Sequence, residues 1–297
     1  MVIAAAFTVS GCGGGASGGS ADDGTIAVVA SFYPLAYAAQ RVGGDSVNVF
    51  NLTPAGVDPH DLELAPEDLE RIALADVVVY LGGGFQPAVE EAVEAEATGI
   101  SVDVSHNADL LPPSQDGAQG LDDPHVWLDP TLYAGVVSRV RDALGGVQAS
   151  DQDRFGANAQ TLDEELAALD EVFRRGLAEC ETRVLITNHA AFGYLAQAYD
   201  LDELAISGAA PEAEADPQRI AELVAIARAE GVTTIFAESE DAASGKVADT
   251  LAAEADLETA VLSPLENLTQ AQVDTSEDYL SLMRSNLEVL RDGLVCA

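Results

Sequence analysis

Positive charge is scarce in this chain. Thirteen lysines and arginines, with Lys246 the single lysine, face 51 acidic residues, and the formal net charge is −38 over 297 residues. So negative a surface repels phosphodiester backbones and anionic headgroups, so nucleic acid is not an expected partner, whereas cations are drawn to it. Much of the excess reads as background composition or adaptation to salt, so charge alone names no ligand. The 48% of hydrophobic residues is enough for a folded chain, and the length gives one or two domains.

Long apolar runs are missing too. Val2 to Val9 is uncharged but far short of the about 20 apolar residues that span a bilayer. It reads as the end of a secretion signal, and Val9-Ser10-Gly11-Cys12 resembles a bacterial lipobox. The expectation is a signal peptide over 1–12, lipid on Cys12 and a flexible Gly/Ser tether over 13–24. Membrane contact then comes through that anchor on the outer face of the cell membrane. Export permits disulfides, and with Cys12 acylated, Cys180 and Cys296 remain as the expected bonded pair.

Catalytic signatures are equally sparse. Gly82-Gly83-Gly84 lacks the lysine of a phosphate loop and the spacing of a dinucleotide fingerprint, so it reads as a tight strand-to-helix turn. There is no His-Glu-x-x-His helix and no acid–base pair set apart by spacing, so no enzyme is expected. The rival is a zinc hydrolase, because three imidazoles and a water also make a catalytic zinc site.

Histidine is rare, with four in all, yet three lie in punctuated, loop-like segments: Asp58-Pro59-His60, Asp123-Pro124-His125 and Thr187-Asn188-His189. Three neutral imidazoles suit zinc, copper, iron or nickel and leave a fourth position open. His106, in the polar stretch 105–124, reads as an exposed loop residue.

Short β-branched runs alternate with helical patterns along the chain. Strands are expected at 25–30, 47–52, 77–81, 100–104, 184–187, 204–206, 233–237 and 260–262. This alternation predicts an α/β fold of two lobes, each a roughly four-stranded parallel sheet with flanking helices. Ser150 to Asp153 resembles a capping box, and Leu162, Leu166, Leu169, Phe173 and Leu177 follow at helical spacing. About 28 residues make a rod of roughly 42 Å. The expected division is an N-terminal lobe over 25–148, a linking helix over 149–179 and a C-terminal lobe over 180–297.

Ligands of open parallel sheets bind beyond the carboxyl ends of the strands. His60, His125 and His189 all leave that edge, so facing lobes would bring them around one cation. Glu238 and Glu266 follow strands on the same edge. Either completes the site or accepts a hydrogen bond from a ligating imidazole.

Taken together, these segments resemble the zinc- or manganese-specific solute-binding lipoproteins of bacterial ABC importers. The resemblance runs from residue 25 to the end and rests on Pro54 to His60, Asp123 to Pro130, Asn188 to Leu195, Ile235 to Ser239 and Asp278 to Leu287. It implies two lobes on one rigid helix, with His60, His125 and His189 as metal ligands. Histidine at 189, where other members carry glutamate, implies zinc, and manganese is the alternative. Many members place an aspartate at the position of Ser263, so the fourth ligand stays open among Glu238, Glu266, Ser263 and water.

The expected function is capture of zinc outside the cytoplasm, as a monomer, and its delivery to an ABC permease with its ATPase. A manganese importer component and a metal-stabilised surface adhesin are the alternatives.

Overall fold

The computed structural model describes residues 24–105, 123–207, 216–238 and 243–297, the side chains of 243–247 excepted. The expected signal peptide, Cys12, nearly all of the tether and His106 lie outside the described residues. Among those described, no helix is long and apolar enough to cross a membrane.

Strands β1 (Ile26–Ala30), β2 (Val47–Asn51), β3 (Val77–Tyr80) and β4 (Ile100–Asp103) form a parallel sheet in the order β2-β1-β3-β4. A second parallel sheet repeats that order as β6-β5-β7-β8, from β5 (Val184–Thr187), β6 (Asp202–Ala205), β7 (Thr234–Ala237) and β8 (Glu258–Val261). The fold is therefore α/β with two four-stranded parallel sheets, as the alternation of patterns predicts. Central strands such as Val77-Val78-Val79 and Val184-Leu185-Ile186 are apolar throughout because both faces are covered. The outer strands β6 and β8 begin two residues earlier than the apolar pattern suggests. An edge leaves Asp202 and Glu258 exposed, so they do not interrupt pairing.

Ten helices flank the described sheets: α1 (Tyr33–Gly43), α2 (Pro66–Leu74), α3 (Pro87–Glu96), α4 (Pro130–Val147), α5 (Gln152–Gly176), α6 (Gly193–Ala198), α7 (Pro217–Glu230), α8 (Ala243–Ala255), α9 (Gln270–Thr275) and α10 (Tyr279–Gly293). Pro66, Pro87, Pro130 and Pro217 each open a helix, where the missing N–H has no partner to lose.

The long helix is shorter than its sequence pattern. It runs for 25 residues, about 37 Å at 1.5 Å per residue, and follows a tight turn over Ala149–Asp151. The capping box expected at Ser150–Asp153 does not form, because Ser150 lies inside the tight turn over Ala149–Asp151 and the helix opens only at Gln152. The sequence pattern predicts a helix over 190–199, and α6 starts three residues later, at Gly193. The segment before it is spent in a turn, with Ala191 N–H donating to the His189 carbonyl at 3.0 Å. The helical pattern over 276–294 forms the single helix α10, whose start waits for Tyr279 because Ser276 takes φ 58° and Asp278 caps α10 through Ser281 N–H at 2.8 Å, and the short helix α9 before it is an addition to that pattern.

One core joins both lobes. Val28, Val77 and Val79 of the first sheet, Leu185 and Phe236 of the second and Leu262 just beyond β8 belong to one cluster with Leu162, Leu166, Leu169 and Phe173 of α5 and Leu287 and Leu290 of α10. The outer face of each sheet has its own core, around Val78 and Ile72 in one and Ile186 and Leu223 in the other. Cys180 and Cys296 are joined by a disulfide that ties the end of the chain to the entry of β5.

Candidate metal centre

Both Asp-Pro-His segments fold the same way. Asp58 Oδ1 accepts the backbone N–H of His60 at 2.8 Å, and Asp123 Oδ1 accepts that of His125 at 2.9 Å. The proline between them has no N–H to compete, so each aspartate closes a tight turn that sets the histidine's direction. In the second turn the His125 Nδ1–H also donates to Asp123 Oδ1, at 2.7 Å.

His189 and Glu238 come straight off the sheet, two residues beyond β5 and one beyond β7. These strands are neighbours, so the pair sits at the fork where the strand order changes direction. His189 Nδ1 meets Glu238 Oε1, and Asn188 Nδ2 donates to the same oxygen at 3.2 Å. Glu266 lies beyond β8 in a turn where Leu265, at φ 56°, donates its N–H to the Ser263 hydroxyl at 3.1 Å. Ser263 thus shapes the turn that presents Glu266.

The structure brings His60, His125, His189 and Glu266 together, with one ligand atom from each lying within 4.8 Å of all the others. Three Nε2 atoms face Glu266 Oε1, from His125 at 3.0 Å, His60 at 3.4 Å and His189 at 3.7 Å. Around zinc, with ligand distances of about 2.0–2.2 Å, the edges of a tetrahedron measure about 3.3–3.6 Å, so spacings near these suit one ion at the centre. Nε2 of His60 and of His189 is buried with no hydrogen-bond partner among the described residues, as expected of nitrogens aimed at a cation. Side chains of His125 and His189 are 0% exposed and Glu266 is 4% exposed, whereas His60 is 13% exposed.

Carboxylates decide the protonation of this cluster. Burial would lower the His125 imidazole, but its bonds to Asp123 and Glu266 outweigh that and raise it to about 9. Burial acts likewise on His189, and the charge and contact of Glu238, with Glu266, raise it to about 10. Glu266 would be raised by burial, yet the three imidazoles around it hold it well below the usual carboxylate range. Asp58 is raised, by burial and then by the charge of Glu266. With their Nδ1 atoms turned to Asp123 and Glu238, His125 and His189 keep Nε2 directed inward.

Bonds across the cleft fix the two sides. Trp127 Nε1–H donates to the Pro264 carbonyl at 2.7 Å, Tyr194 O–H to the Asp123 carbonyl at 3.0 Å, and Asn267 Nδ2 to the Val57 carbonyl at 2.7 Å. Gly83 and Gly84, both at positive φ, turn the chain sharply after β3 and bring Phe85 edge-on against His60, with ring centroids 4.6 Å apart. Asp123, Trp127 and Tyr194 lie inside the motifs read from the sequence, but nothing in sequence spacing shows what they touch. The doubled Asp-Pro-His was the one local signal for the aspartate turns.

A cleft between two parallel-sheet lobes, lined by three imidazoles and a carboxylate, defines a metal-type solute-binding protein. The family model described as zinc-uptake complex component A, periplasmic (ZnuA) matches residues 28–293, and the chain belongs to that family. It is 36% identical over 290 residues to the zinc-binding protein AdcA of Streptococcus pyogenes serotype M1, a match covering 91% of this chain and 56% of the relative. The chain thus spans little more than half the length of that relative. It is 33% identical over 310 residues to the high-affinity zinc uptake system protein ZnuA of Bacillus subtilis, covering 99% and 97% of the two chains. The crystal structure of the Zn(II)-bound ZnuA-like domain of Streptococcus pneumoniae AdcA superposes with a TM-score of 0.78 at 33% identity, over 91% of this chain and 99% of that one.

Proposed function

We propose that this protein is the extracytoplasmic zinc-binding component of an ABC importer, a carrier and not an enzyme. His60, His125, His189 and Glu266 hold the ion, and Asp123 and Glu238 brace two of the imidazoles. The observation that carries this reading is the convergence of three Nε2 atoms on one Glu266 oxygen, at 3.0–3.7 Å. Three nitrogens and one oxygen suit zinc over manganese, which prefers oxygen-rich sites. Names of the relatives point the same way. Lipid on Cys12 and the tether keep the carrier, as a monomer, at the outer face of the cell membrane, where it docks on a permease with its ATPase and releases the ion. The lobes 25–148 and 180–297 enclose the site, with 149–179 between them.

Competition titration of the purified mature domain tests this. Expected are one zinc per chain, manganese bound far more weakly, and a loss in His189→Ala beyond the about 10–100-fold of a supporting residue. Manganese binding as tight as zinc, or a His189→Ala variant that binds normally, would overturn it.

A further inference from the structure

Glu203 stands outside the four ligands and the carboxylates that brace them. It lies on the edge strand β6, where it pairs in parallel register with Leu185, a residue of the core shared by both lobes. Its Oε1 accepts two hydrogen bonds, from the Phe192 backbone N–H and from the Thr187 hydroxyl, each at 3.0 Å. Those donors stand at the two ends of the 188–191 loop that carries His189, one closing β5 and the other leading into α6. A single oxygen therefore fixes the width of that loop.

The clasp reaches further. Two residues beyond Phe192, Tyr194 donates across the cleft to the Asp123 carbonyl at 3.0 Å, and the Asp123 carboxylate holds His125 Nδ1 at 2.7 Å. Thr187, Phe192 and Tyr194 are all buried, so the path from Glu203 to His125 runs through packed groups. Burial, then the charge of Asp123, push the Glu203 carboxyl up to about 7 against the two accepted bonds. Such a group is costly to keep unless its bonds are used.

We infer that Glu203 is a positioning residue for the metal: it sets the His189 loop and, through α6 and Tyr194, the placement of His189 opposite His125, without touching the ion. This rests on the carrier reading above, and the control separates the two.

Zinc competition and the visible spectrum of the cobalt-loaded protein, beside the melting temperature of the metal-free protein, test it. Glu203→Ala is expected to weaken zinc binding about 10–100-fold and to lose intensity in the tetrahedral cobalt band. Glu203→Gln, whose amide oxygen accepts the same two bonds, is expected to restore both. Where Glu203→Ala fails to fold, Thr187→Val and Tyr194→Phe take its place, each expected to weaken zinc binding and alter the band in the same direction. A folded Glu203→Ala with wild-type affinity and spectrum overturns the inference, as does wild-type behaviour in both substitute variants. Absence of zinc binding by the wild-type protein would instead sink the carrier reading.

Discussion

The two sheets share a strand order but present the proposed ligands differently. In the second, His189 and the Glu238 that contacts it sit directly on the ends of the adjacent strands β5 and β7, and only Glu266 comes from a turn further on. The matching fork of the first sheet, beyond β1 and β3, holds Ser31 and Gln86, with Thr53 from beyond β2 beside them. Gln86 Nε2 donates to Thr53 Oγ1 at 3.3 Å, and Thr53 Oγ1 to the Ser31 carbonyl at 2.7 Å. The first lobe sends His60 and His125 in on longer connections instead. A strand-end ligand is placed by the sheet, whereas a loop ligand needs its own turn and a hold on the opposite lobe. Aspartate turns and the Trp127, Tyr194 and Asn267 bonds supply these.

Protons should break the comparison most strongly. His125 at about 9 and His189 at about 10 lie above the about 6.5 of free imidazole. Because both are raised, the stability they give the metal-free protein is full below about pH 6.5 and is lost as pH climbs through their folded values. Its melting temperature should therefore fall between pH 7 and pH 10 on account of these groups. Each must also shed a proton before its Nε2 takes zinc, so affinity should rise by up to about hundredfold per pH unit between pH 7 and pH 9. Competition titration along that range checks it. A flat profile would mean that neither imidazole is held charged by its carboxylate.

Smaller effects sharpen the contrast between braced and unbraced ligands. Glu238→Gln and Asp123→Asn should each weaken zinc binding about 10–100-fold, since both touch a ligating ring. Asp58→Asn should cost less than about tenfold, because Asp58 accepts only the backbone N–H of His60. Equal losses in all three, measured by the same titration, would erase the distinction.

Much of this was legible in the sequence, for physical reasons. Central strands such as Val184–Thr187 show as unbroken apolar runs because both faces are buried, and α7 was marked at both ends by Pro217 and by Gly231 at φ 69°. Histidine rarity and the repeated Asp-Pro-His exposed the ligand candidates. The edges were less readable, since Glu258 in β8 is a residue type more common in loops, and the capping box read at Ser150–Asp153 falls in the turn before α5. What distinguished Glu238 from Glu266 was not in the sequence at all. Both follow a strand, and only the turn built by Ser263 and Leu265 carries Glu266 to the centre while Glu238 stays behind His189. Nothing in the sequence sets Glu203 apart from the rest of the 51 acidic residues.

X-ray absorption of the zinc-loaded protein tests the central claim most directly. The account predicts a four-coordinate ion with three imidazole nitrogens and one carboxylate oxygen, all at about 2.0–2.2 Å, and a changed spectrum in Glu266→Ala, where water replaces the carboxylate. A six-coordinate, oxygen-dominated shell, or a spectrum unchanged by Glu266→Ala, would contradict it.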